Sequence, residues 1–193
     1  MARKYDMAGR EAARLRTREL ILDAVTSMAD QWYDEVTLAD VARTAGVSQQ
    51  TVVNHFGSKL NLYLTAIGER FGPEVIRLRS SAVPGDARAI VDAVMADYEV
   101  TGDRTWRFIA LAQRLEELQP VLRSGRRAHR EFLEEVFAPM LARRGSARRE
   151  TELVSLSLLL DVTTWWQLRR AEGLSRKETS REVLRLVEAA LGP

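Results

Sequence analysis

A chain of 193 residues, 46% hydrophobic and 29% charged, has the composition of an ordinary globular protein, with room for one small unit and a larger body. It contains no cysteine, which excludes disulfides, thiolate metal sites and cysteine nucleophiles, and no apolar run approaches the roughly 20 residues of a membrane helix, so no membrane partner and a cytoplasmic location are expected. The net charge is only +2, but residues 1–18 carry six bases (Arg3, Lys4, Arg10, Arg14, Arg16 and Arg18) against two acids (Asp6 and Glu11). Such an arm either lies along phosphates or solvates a frayed terminus.

Apolar residues recur at helical spacing almost throughout, and no stretch alternates at the two-residue period of a strand, which predicts an all-α fold. A first helix is expected from about Arg14 to Gln31, with Ile21, Val25, Met28 and Trp32 on one stripe. Next come two helices of unusual clarity. Thr37 is a good N-cap with Asp40 three residues on, Val36 and Val41 are placed as a staple, and Leu38, Val41, Ala42 and Ala45 form the apolar face of a two-turn helix that Gly46 ends. Ser48 caps a second short helix, Ser48 to His55, within three residues.

Gly57-Ser58-Lys59 then supplies another turn and cap, and a helix is expected through Leu60, Leu64 and Ile67 to Phe71, punctuated by Gly72-Pro73. Val83-Pro84-Gly85 reads as a loop. Later helices are expected near Asp86 to Thr101, Arg104 to Glu117, Pro120 to Arg143, Ala147 to Glu172 and Ser175 to Leu191.

Two short helices joined by a tight glycine-containing turn, the second opening on a small polar residue, are the sequence form of a helix-turn-helix. Its second helix presents Gln49, Gln50, Thr51, Asn54 and His55, whereas Val52, Val53 and Phe56 supply apolar contact. Gln and Asn can pair with the adenine edge, and Thr offers a hydroxyl and a methyl to thymine, so the chemistry suits a helix in the major groove of double-stranded DNA. A buried motif used only for packing explains Val41, Ala45, Val52 and Phe56, but not the gathering of Gln49, Gln50, Thr51 and Asn54 on one short helix.

The run Thr37-Leu38-Ala39-Asp40-Val41-Ala42-Arg43-Thr44-Ala45-Gly46-Val47-Ser48, followed by Thr51, His55-Phe56 and Ser58-Lys59, closely resembles the TetR family signature. The resemblance spans roughly residues 15–67. It implies a three-helix DNA-binding domain (residues 1–60), a larger helical effector-binding and dimerisation domain (61–193), a connecting helix at about 58–71, and a homodimer on a palindromic operator. Carried over by position, Thr37 and Lys59 would be phosphate contacts at helix starts, while His55 either reaches a phosphate or hydrogen-bonds within the domain. Val53 stands where the family often has Tyr, so a common hydroxyl contact to the backbone is missing. Ligand release of a repressor is the family default.

The same resemblance implies an apolar cavity among the middle helices, for which Tyr98, Trp106, Arg114, His129 and Trp165 are the candidate effector contacts. The last two helices carry the apolar stripes Leu153, Leu156, Leu160, Thr163, Thr164 and Val183, Leu184, Val187, Leu191, which either form half of a four-helix bundle with a second copy or pack inside one subunit. Trp165 and Trp166 project about 100° apart, so at most one faces a pocket. Catalysis is not expected: with only two histidines, His55 and His129, and no Gly-rich phosphate loop, neither a triad nor a cofactor site is legible.

Overall fold

The computed structural model describes residues 2–142 and 144–192, with side chains from Gly9 onward. Described residues form helices and turns without a strand, and the chain divides into two compact units, residues 1–73 and 74–193. The helix expected over residues 58–71 therefore stays within the first unit.

The first unit opens on α1, Ala2–Ser27. The helix starts well before Arg14 and ends before Gln31, because its last turn tightens: Met28 and Ala29 donate to the carbonyls of Val25 and Thr26. Ile21, Leu22, Ala24 and Val25 are buried, whereas Trp32, expected on the same stripe, lies beyond the helix and is 45% exposed. The side chains of Arg3, Lys4 and Asp6 in the basic arm lie outside the described residues.

Three helices of eight residues each follow, α2 (Leu38–Ala45), α3 (Gln49–Phe56) and α4 (Lys59–Ala66). Thr37 and Asp40 close a full capping box, with each residue's side chain accepting from the other's backbone amide at 3.1 Å. Ser48 Oγ accepts from the Thr51 amide and Ser58 Oγ from the Asn61 amide, both at 3.1 Å. Gly46 (φ 68°) and Gly57 (φ 74°) end α2 and α3 in the left-handed backbone that a Cβ would strain. Val41, Ala42, Val52, Phe56, Leu62 and Ala66 then complete a core with the α1 residues.

Gly72-Pro73 does not end the helical backbone. A wide π turn, Ile67–Phe71, lets the Gly72 amide reach the Ile67 carbonyl, and α5 (Gly72–Arg79) begins there. Pro73 follows directly, and the widened turn ahead of it gives its ring room where a regular α turn would set it against the Glu69 carbonyl.

In the second unit, the two helices expected between Asp86 and Glu117 are one, α6 (Ala87–Ala112), capped by Asp86. Gly102 sits in mid-helix because the Trp165 ring packs on it: a Cβ there would come within 2.3 Å of the indole. A short 3₁₀ turn, Glu116–Leu118, leads into α7 (Gln119–Leu141); Arg143, the expected end of that helix, is outside the described residues. The single helix expected over 147–172 is instead broken. α8 (Ser146–Leu159) stops at Leu160, and Asp161 turns outward to cap α9 (Val162–Trp166) by accepting from the Thr163 amide at 2.8 Å. A second π turn, Gln167–Ala171, precedes α10 (Arg176–Leu191), which starts on a Ser175–Glu178 capping box.

The core of this unit takes Ile90, Val94, Tyr98, Phe137, Leu133 and Trp165 together with both stripes of the last helices. Leu153, Leu156, Leu160, Val183, Leu184, Val187 and Leu191 are buried within the subunit, and Thr163 and Thr164 spend their hydroxyls on Asp161 and the Leu158 carbonyl. What α8 leaves outward is a different pair one turn apart, Val154 (54% exposed) and Leu158 (65%).

Candidate nucleic-acid interface

The caps set the surface of α3. With Ser48 fixing its start and Val52 and Phe56 pointing into the core, Gln49, Gln50 and Asn54 are left exposed. Gln50 Nε2 donates to Asn54 Oδ1 at 2.9 Å, joining the two amides along the helix. Asn54 therefore keeps its own N–H donors for an outside acceptor, and Gln50 keeps its carbonyl oxygen. Thr51 is half-buried, its hydroxyl 2.8 Å from Ser48 Oγ, so the cap shares it. His55 is also half-buried and leans on Phe56 with ring centroids 6.2 Å apart.

Thr37 is exposed, but its hydroxyl donates to Asp40 Oδ2 at 2.5 Å, so at a phosphate it would have to redirect that proton. The same hydrogen bonds from Thr37, with Arg43 nearby, hold the Asp40 carboxyl below its usual pKa. Lys59 is half-buried, its ammonium 4.0 Å from the centroid of the Tyr33 ring. Burial lowers its pKa, and the charge of Asp34 works the other way. Tyr33 was not legible as a site residue: it lies in the loop between α1 and α2, where no periodicity gives it a face. Of the basic arm, Arg14 pairs with Glu11 and Arg18 grips Glu69 with both guanidinium nitrogens at 2.7 and 2.5 Å. Those two charges serve α1 and its neighbours, while Arg16 is exposed.

The five body candidates separate into three places. Tyr98 and Trp165 lie side by side in the core, rings 6.1 Å apart; Tyr98 donates to the Leu160 carbonyl at 3.0 Å, and Trp165 Nε1 donates to Glu99 at 3.0 Å. Desolvation pushes the Tyr98 hydroxyl up to about 12. Trp106 stacks on Trp166 at 4.5 Å, which realises the divergence expected of consecutive tryptophans. Arg114 is exposed at the end of α6.

His129 is linked to Tyr98 through Arg79, a residue with no motif around it. The Arg79 guanidinium donates to the fully buried Asp97 at 2.7 Å and to His129 Nδ1 at 2.8 Å, and it stands 5.3 Å from the ring centroids of both Tyr98 and Phe132. Because arginine only donates, Nδ1 accepts and the imidazole proton resides on Nε2. That atom is buried and has no hydrogen-bond partner among the described residues. Burial first, and Arg79 second, depress the His129 pKa to about 4. Among the described residues, no group of three His, Asp or Glu side chains could hold a metal ion, and no helix is long and apolar enough to cross a membrane.

The first unit thus carries a capped helix-turn-helix, and the second is a separate helical body. The profile of "Bacterial regulatory proteins, tetR family" matches residues 20–66. The chain is similar to the HTH-type transcriptional regulator AlkX of Mycobacterium tuberculosis, 43% identical over 53 residues, which are 27% of this chain and 25% of that one. The matched segment thus spans about a quarter of that relative. Beyond it the likeness is one of fold. A transcriptional regulator from Rhodococcus sp. Rha1 superposes with a TM-score of 0.69 at 19% identity, over 92% of this chain and 95% of that one. A TetR-like transcriptional regulator from Rhodococcus sp. RHA1 gives 0.59 at 18% identity, over 89% and 93%.

Proposed function

We propose that the chain is a sequence-specific DNA-binding transcription regulator, a non-enzymatic repressor that acts as a homodimer in the bacterial cytoplasm and leaves its operator when a small ligand binds the second unit. The observation that carries the reading is α3: a two-turn helix, capped at both ends, that exposes Gln49, Gln50 and the hydrogen-bonded Asn54 while its apolar side fills the core. In this reading the α3 amides face base edges, and Thr37, Lys59 and His55 face the sugar-phosphate backbone; Thr51 adds its methyl.

Dimerisation through the last helices is retained, on the outward face of α8 with Val154 and Leu158 rather than on the stripes spent in the core. Two copies would set their α3 helices about one turn of DNA apart, roughly 34 Å, which is what a palindromic site requires. The effector reading leans on Tyr98 and His129, joined by Arg79, whose guanidinium lies against the Tyr98 and Phe132 rings, and on the buried His129 Nε2–H, a donor without a hydrogen-bond partner among the described residues. An apolar or amphipathic molecule with one acceptor group suits it. Trp106, Trp165 and Arg114 stand further from this donor in role: two are spent on ring stacking and core packing, and one is at the surface.

Enrichment of a random duplex pool on the purified chain tests the DNA reading. Recovered sequences should share inverted half-sites spaced by one helical turn. A pool that stays random would leave a helical interaction module in its place. Sedimentation at micromolar concentration should show two subunits, and Leu158→Glu should return the chain to one.

A further inference from the structure

Lys59 opens α4 directly after the N-cap Ser58, and its side chain is folded onto an aromatic platform rather than extended into solvent. The Tyr33 ring lies beneath the ammonium at 4.0 Å, and Tyr63, one turn along α4 from Lys59, meets Tyr33 edge-on at 5.3 Å and 67°. Tyr33, Lys59 and Tyr63 wall a cavity of about 20 Å³ together with Val36 and Leu62, room for about one water. The ring is thus held from two sides, by the loop before α2 and by α4 itself.

A surface lysine gives up more rotamer freedom than almost any other residue when an anion fixes it. Here the ring has fixed it beforehand. An aromatic face attracts the ammonium without consuming an N–H donor in a conventional hydrogen bond, so the three donors stay available to oxygen acceptors. We propose that Tyr33 is a positioning residue for phosphate binding, its ring holding Lys59 Nζ in place at the start of α4 for a DNA backbone oxygen. The proposal rests on the DNA-binding reading above.

The test titrates the full-length chain against a labelled random-sequence duplex of about 40 base pairs between about 50 and 200 mM salt. The proteins compared are the parent, Lys59→Ala, Tyr33→Leu, Tyr33→Phe and the Tyr33→Leu/Lys59→Ala double variant. Lys59→Ala should lower the salt slope by about one counterion. Tyr33→Leu should weaken binding about two- to fivefold, the size of an exposed cation–π contact, Tyr33→Phe should restore it, and Tyr33→Leu should cost nothing further once Lys59 is gone. In the free parent, ring currents should shift the Lys59 Cε protons upfield, a signature that Tyr33→Phe keeps even if Tyr33→Leu fails to fold. Tyr33→Leu binding as well as the parent or better, an equal loss in both backgrounds, or Lys59 protons at their random-coil position would overturn the assignment and leave DNA binding standing. A parent that binds no duplex at any of these salt concentrations overturns both.

Discussion

The two units stop their helices by different means. In the first, α2, α3 and α4 are eight residues each and are bounded by Thr37, Ser48, Ser58, Gly46 and Gly57, all of which act within three residues of the boundary they set. Helices this short are unstable alone, so local caps carry much of their definition. In the second, boundaries follow tertiary fit: α6 runs through Gly102 because an indole from 63 residues away needs the space, and α8 breaks at Leu160 so that Asp161 can cap the helix that delivers Trp165. A unit specified by its own local grammar can vary the exposed letters of α3 without changing shape. A body specified by long-range fit around buried charge is sensitive far from its surface.

That contrast can be broken first at Asp97. Removing it leaves the Arg79 guanidinium buried against two rings, so Asp97→Ala should lower the unfolding free energy of the second unit by about 3 to 5 kcal/mol in urea titrations. A loss below about 1 kcal/mol would place the pair with ordinary surface ion pairs. Acid comes next. His129 holds a folded pKa of about 4 against an ordinary value of 6.5, so between those values the unfolded chain binds a proton that the folded chain refuses. Stability should therefore be full above about pH 6.5 and fall by on the order of 3 kcal/mol as pH drops toward 4. His129→Gln should flatten that window, and an unchanged pH profile would show that the imidazole is not held neutral.

A smaller effect, but one with a telling sign, is expected at Gly102. In an open helix Gly→Ala would stabilise by about 1 kcal/mol; against the Trp165 ring, Gly102→Ala should instead destabilise by about 1 to 3 kcal/mol. Stabilisation would mean that the indole does not occupy that space. The smallest effect belongs to the first unit: Ser48→Ala should cost about 1 kcal/mol in its thermal transition and reduce DNA affinity through a frayed α3. Equal affinity would show that the cap does not matter to the recognition surface.

What the residues disclosed follows the same division. The helix-turn-helix was legible to within a residue, since Thr37-x-x-Asp40, Gly46 and Ser48 encode their geometry locally. The reach of α6 was not: Thr101-Gly102-Asp103 has the composition of a turn, and only the distant Trp165 explains why it stays helical. Gly72-Pro73 misled for a related reason, because a π turn one step earlier made room for the proline. The stripes of α8 and α10 were identified correctly as apolar, but periodicity cannot say whether such a face meets its own subunit or another. Arg79 and Tyr33 were invisible because what makes them notable is a partner 18 to 50 residues away for one and 26 for the other.

The central claim is that α3 reads bases. Asn54→Ala measured against one enriched duplex and its scrambled counterpart tests it most directly: the specific complex should weaken by about 1 to 3 kcal/mol while the scrambled one is unchanged. An equal loss on both duplexes, or none on either, would contradict it.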